Sequence, residues 1–150
     1  MKDTVFNVGP DAFRLLAPVS RFLADQDIPA CLVGGFVRDT LLGRATADID
    51  IAVAGDAVRL APAIAEAVGG KPVTLDADNR ISRIVPPDAA WEIDVTSFTG
   101  SIREDLARRD FTVNAMAADL AETLEHGLDP ARLIDPFHGR DDLRAGTLRA

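Results

Sequence analysis

Cysteine is almost absent. Cys31 is the only one in 150 residues, which excludes an intrachain disulfide and a cysteine-based zinc site. Its place in the apolar run Ala30-Cys31-Leu32-Val33 predicts a buried small side chain rather than a reactive thiol. No apolar run approaches the ~20 residues of a membrane span. Met1-Lys2-Asp3 does not begin a signal peptide, so a soluble, cytoplasmic protein with no membrane partner is expected. Basic residues are outnumbered, 16 against 24 acidic, for a net charge of −8. A segment so charged is not expected to grip nucleic acid by itself, because non-specific affinity comes from Lys and Arg on phosphates. A small anionic substrate could still bind where metal and local arginines offset the acids. Internal repeats and low-complexity stretches are missing as well. What is present is a 47% hydrophobic composition, enough for a real core and too much for a disordered chain.

The periodicities predict an α+β domain: a mixed β-sheet with flanking helices. Apolar residues at Phe13, Leu16, Val19, Phe22 and Leu23 predict a helix over 11–26, kinked or split at Pro18. A strand over 29–34, a short helix over 36–42 and a strand over 48–53 follow. An Ala-rich helix is expected over 56–68, closed by Gly69-Gly70. Three further strands are expected over 73–75, 81–85 and 91–98, then a helix over 101–108 with Ser101 as N-cap. The segment 113–120 reads as part strand.

Asp48-Ile49-Asp50-Ile51 carries the strongest chemical signal. On a strand, residues two apart face the same way. Both carboxylates therefore project from one face, where they repel unless something neutralises them. A hard divalent cation does so, and Mg²⁺ typically takes one or two carboxylates plus substrate phosphates. Upstream, Leu32-Val33-Gly34-Gly35-Phe36-Val37-Arg38-Asp39 reads as strand, glycine turn and helix start, which exposes backbone N–H groups to an anion. Asp94, in Glu92-Ile93-Asp94-Val95, is a third strand acid. Beside Asp48 and Asp50 it would complete a three-carboxylate site for two metal ions. Glu92 is the competing acid, expected on the opposite face.

Arg108-Arg109-Asp110-Phe111-Thr112-Val113-Asn114 is dense in polar groups. A guanidinium fork suits phosphate and ribose oxygens, and Asn114 can donate and accept. The same residues also fit a solvated helix end, where arginines favour the dipole. His126 and His138 lack a nucleophile partner pattern and read as surface residues. Asp135-Pro136 reads as a turn.

Four segments in order, Leu32-Val33-Gly34-Gly35-x-Val37-Arg38-Asp39, Asp48-x-Asp50, Arg108-Arg109-Asp110-Phe111-Thr112-x-Asn114 and Ile134-Asp135-Pro136-Phe137-x-Gly139-x-x-Asp142-Leu143, resemble the head domain of class II tRNA nucleotidyltransferases and bacterial poly(A) polymerases. That family belongs to the DNA polymerase beta-like nucleotidyltransferases. The resemblance implies nucleotidyl transfer from CTP or ATP to the 3′ end of tRNA, by a two-metal mechanism with Mg²⁺. Asp48, Asp50 and Asp94 would be catalytic metal ligands. Gly34, Gly35, Arg38, Arg109, Asp110 and Asn114 would hold the nucleotide. After the helical segment read at 1–28, it implies the catalytic head at 29–140 and the start of a helical neck at 141–150. In this family the base-selecting acidic-arginine motif lies beyond the head, so this segment alone is expected to be weakly active or inactive. Two departures stand out: Thr99 where a basic residue is common, and His138 where glycine is common. Poly(A) addition, or a non-catalytic nucleotide-binding module, are the rival expectations.

Overall fold

The computed structural model describes residues 5–88 and 90–150; Met1-Lys2-Asp3, on which the leader expectation rests, lies outside them. Strands β1 (Ala30–Val33), β2 (Asp48–Val53), β3 (Lys71–Asp76), β4 (Ile81–Val85), β5 (Glu92–Ser97) and β6 (Ala117–Asp119) form one sheet in the order β3-β4-β5-β2-β1-β6. β2 and β5 pair in parallel, and the other neighbours are antiparallel. The mixed sheet with flanking helices is the expected architecture. Among the described residues no helix is long and apolar enough to cross a membrane.

Strand alternation divides the core between the two faces. Leu32, Ile49, Ile51, Val53, Ile93 and Val95 point to one side, where α1 (Pro10–Asp25) and α3 (Ala57–Val68) contribute Leu16, Val19, Leu23 and Ile64. Cys31, Val33, Ala52 and Ala117 point to the other, against Phe98, Leu106 and Ala115. Burial holds the Cys31 thiol up at about 11, with Asp119 adding to the effect, so the residue is a core filler as expected.

Several elements depart from the pattern read above. α1 runs through Pro18 as one helix. Burying Ala12, Leu16, Val19 and Leu23, each large apolar side chain contributing ~1.5–3 kcal/mol, outweighs the ~3 kcal/mol an internal proline costs. Phe13, counted on the apolar stripe, is exposed, and Ala12 takes its place in the core. α4 is short, Ile102–Leu106, with Ser101 accepting from the Glu104 N–H at 3.2 Å. After it come a 3-10 turn (Thr112–Asn114), β6, and the unanticipated helix α5 (Leu120–His126), capped by Asp119.

The segment after α5 is held by side-chain caps. Asp135 accepts from the N–H groups of Gly139 (2.7 Å) and Arg140 (3.0 Å), which starts helix α6 (Gly139–Ala145). Asp135-Pro136 is thus a turn, as read. Buried Asp142 on α6 accepts from the Thr112 hydroxyl at 2.6 Å, docking α6 beneath the 3-10 turn. His138 sits at φ 59°, the left-handed region where glycine is at ease, which accounts for the departure noted at that position. Gly139 lies so close to the Thr112 carbonyl that an added Cβ would collide with it. Gly139→Ala should therefore destabilise the protein by about 1–3 kcal/mol, measured by urea unfolding; a change within ~0.5 kcal/mol would mean that α6 does not pack as described.

Candidate active site

Asp48 and Asp50 share one face of β2, as their spacing demands. The parallel register sets Asp50 beside Asp94 and Asp48 beside Glu92. All four carboxylates therefore lie on the same face. Glu92, expected on the far side, is corrected by the very rule that aligns Asp48 with Asp50: it stands two residues from Asp94. Ile49, Ile51 and Ile93 anchor this pair of strands in the core on the opposite face.

Helix α2 (Gly34–Leu41) begins directly at the acids. Gly34 takes φ 66°, and a Cβ there would lie 3.2 Å from Asp50 Oδ2 and 3.3 Å from Arg109 Nη1. Only glycine suits both the backbone and the gap. Arg38, one turn on, donates to Asn114 Oδ1 at 2.8 Å and to Asp39 at 3.1 Å. The 3-10 turn thus delivers Asn114 to α2. Arg109 follows α4, where Asp105 pairs with both arginines, at 3.0 Å to Arg108 and 3.3 Å to Arg109. Arg109 Nη1 and Asp50 Oδ2 both border Gly34, and the Arg109 charge acts on Asp50, while Arg108 stays largely exposed. Arg109 Nε is buried without a hydrogen-bond partner, alone in this among the described residues' side-chain nitrogens and oxygens.

Arg38, Asp48, Asp50 and Asp94 line one polar cavity of about 230 Å³. Gly34, Arg109 and Asn114 flank it through the contacts above. Asp110 is exposed and does not line it. Arg83 does line it, and the sequence reading missed it. Arg83 lies opposite Asp94 across the β4–β5 pair and forks onto it, Nε to Oδ1 at 2.8 Å and Nη2 to Oδ2 at 3.2 Å. A lone charge inside Ile81-Ser82-Arg83-Ile84-Val85 was the available signal.

Burial pushes the Asp50 carboxyl up to about 6, and its neighbours Asp94 and Asp48 add to this. Arg109 and the Phe36 N–H work in the other direction. The donor set is all oxygen, and its charges crowd one another, which suits a hard cation such as Mg²⁺. Among the described residues no three His, Cys, Asp or Glu groups converge as a finished cage; Asp94 is turned onto Arg83 instead.

The family model for the poly A polymerase head domain matches residues 30–96 and 79–149. The chain is 41% identical over 149 residues to the CC-adding tRNA nucleotidyltransferase of Synechocystis sp., covering 90% of this chain and 33% of that protein. Among solved structures, the Thermotoga maritima CCA-adding enzyme complexed with tRNA superposes with a TM-score of 0.73 at 37% identity, over 93% of this chain and 32% of that one. A CCA-adding enzyme complexed with ATP gives a TM-score of 0.79 at 32% identity, over 99% and 36%. The chain belongs to the poly A polymerase head domain family, with the polymerase beta-like nucleotidyltransferase fold. It spans about a third of the length of these relatives.

The raised Asp50 carboxyl has a consequence for stability. In the unfolded chain an aspartate titrates near ~3.9, whereas in the fold Asp50 does so at about 6. The native state binds this proton more tightly, so stability falls as pH rises through that window, and the loss is complete above it. In EDTA at pH 7.5, Asp50→Asn should be more stable than wild type by on the order of 1–3 kcal/mol, a gain that vanishes below about pH 4. Thermal unfolding at several pH values checks this; a pH-independent shift would contradict it.

Proposed function

We propose that this chain is the catalytic head of a longer nucleotidyltransferase that adds nucleotides from CTP or ATP to the 3′ end of tRNA. The observation that carries this is the juxtaposition of Asp48, Asp50 and Asp94 with the glycine-started helix and Arg109. Asp48, Asp50 and Asp94 would hold two Mg²⁺ ions, which supply a more acidic attacking hydroxyl and neutralise triphosphate charge. The N–H groups at the start of α2, at Gly34 and Gly35, bind triphosphate oxygens. Arg109 sets its Nη1 beside Gly34, where a guanidinium donor meets a phosphate or ribose oxygen. Arg38 and Asn114, already joined, orient the sugar. Asp110, exposed, serves at the rim. Base choice then depends on segments outside this head, including a neck that continues from residues 141–150, because phosphate contacts position a nucleotide without reading its base. The setting we infer is the cytoplasm, where tRNA maturation takes place.

A second reading, poly(A) addition, draws support from the description of the matching family model. A third, a nucleotide-binding module without turnover, has the intact acid set against it. Product length on tRNA and on generic RNA separates the first two: one to three nucleotides on tRNA alone supports the first, long homopolymers on either RNA the second.

In the full-length enzyme, Asp48→Ala or Asp50→Ala should abolish transfer with circular dichroism unchanged; near-normal turnover in either would refute the metal-ligand roles. Arg109→Lys keeps the charge but loses the fork. A lost charge-assisted contact costs about 1.5–3 kcal/mol, or roughly 10- to 150-fold in kcat/KM. Arg108→Lys should change kcat/KM less than about threefold, because that side chain is 65% exposed and its partner is Asp105. Equal small effects in both would return Arg109 to a plain helix-end role.

A further inference from the structure

Arg83 stands where a second positive charge is needed and where no expectation placed one. Its guanidinium takes both oxygens of Asp94, at 2.8 and 3.2 Å. Its Nε also lies 3.5 Å from Glu92 Oε2. A metal ligand must present an oxygen directly to the ion, at ~2.0–2.1 Å for Mg²⁺. A carboxylate whose two oxygens are both engaged by a fork presents neither one freely. An ion entering the site therefore competes with the guanidinium for the charge and orientation of Asp94.

Resting on the proposed metal site, we propose that Arg83 is an internal stand-in for the ion: it holds Asp94 while the site is metal-free and moves onto Glu92 when a divalent cation enters. Arg83 is in this sense a positioning residue for the third acid. Three features make the exchange feasible. The pair is part-exposed, 33% for Arg83 and 28% for Asp94, so opening it is not costly. Ser82 and Ile84 on either side are buried, so the strand stays while the side chain swings. Glu92 shares the face with Asp94 and is within reach, so the guanidinium never loses a carboxylate partner. The reason for keeping such a cation follows from the fold. Register forces Asp50 and Asp94 together before any ligand arrives, and Arg109 offsets Asp50. Arg83 offsets the other.

Mn²⁺ binding to the 150-residue chain, followed by electron paramagnetic resonance of the free ion without nucleotide, tests this. Arg83→Gln should bind Mn²⁺ roughly 3- to 10-fold tighter than wild type, the range for releasing a part-exposed forked pair. Arg83→Lys, with the charge but no fork, should fall between them, and gives the same ordering if Arg83→Gln proves too unstable to isolate. Glu92→Gln should weaken Mn²⁺ binding clearly more in wild type than in the Arg83→Gln background, because part of its effect acts through Arg83. Unchanged or weaker binding in Arg83→Gln and Arg83→Lys, with wild type still well above Asp50→Asn, overturns the exchange and leaves the metal site standing. Wild type no better than Asp50→Asn overturns the metal site, and the exchange with it. An equal loss from Glu92→Gln in both backgrounds shows that Glu92 acts on the ion without Arg83 and refutes its role as the resting place of Arg83.

Discussion

Everything near the site answers to one electrostatic constraint: two strands running parallel and in register bring carboxylates of like charge into adjacent positions. The sheet supplies the force that keeps them there. On its opposite face Ile49, Ile51, Ile93 and Val95 are fully buried, so the strands cannot slide apart to relieve the acids. A one-residue slip would send the isoleucines into water and the aspartates into the core. Relief must come from groups brought to the acids. Arg109 arrives from the end of α4, Arg83 from the neighbouring strand and the Phe36 N–H from the start of α2.

The remaining elements are best understood as the means of delivering those groups. α4 ends at Leu106, which is buried in the smaller core and fixes the point from which Arg109 departs. The 3-10 turn places Asn114 on Arg38 and is itself held from below by the Thr112–Asp142 hydrogen bond. The Ile134-to-Leu143 stretch, a motif in the sequence, does not line the acid cavity. Its spacing answers to cap geometry: Asp135 to start α6, Gly139 to pass under Thr112, Asp142 to lock the two together.

Much of this was legible in the residues, and the failures have physical causes. Period-two alternation shows that Asp48 and Asp50 share a face and that Asp94 is a strand acid. A single strand does not state its register, so neither the fork of Arg83 nor the nearness of Glu92 to Asp48 could be read from local pattern. Glu92 was misplaced because its apolar neighbours were weighed above the simple count of two. α5 was missed because Asp119 ends β6 and caps the helix at once, leaving no gap between two elements of opposite period. Pro18 and Phe13 misled for another reason: local propensity was set against a whole buried stripe, and burial won.

The sheet has two unequal rims. Beyond β6, Ile134 exchanges both backbone hydrogen bonds with Ala117, at 2.8 and 2.9 Å, so that side is closed by the chain itself. Among the described residues no strand pairs beyond β3, and its Val73 and Leu75 are nearly half exposed. An open, apolar strand invites another chain to add to it. β3 carries its own deterrents: Lys71 supplies charge, Pro72 removes a donor, and the register shift between Thr74 and Asp76 bends the far end. Swapping these for alternating Thr and Val would leave the acid site intact while making this rim prone to edge-to-edge assembly.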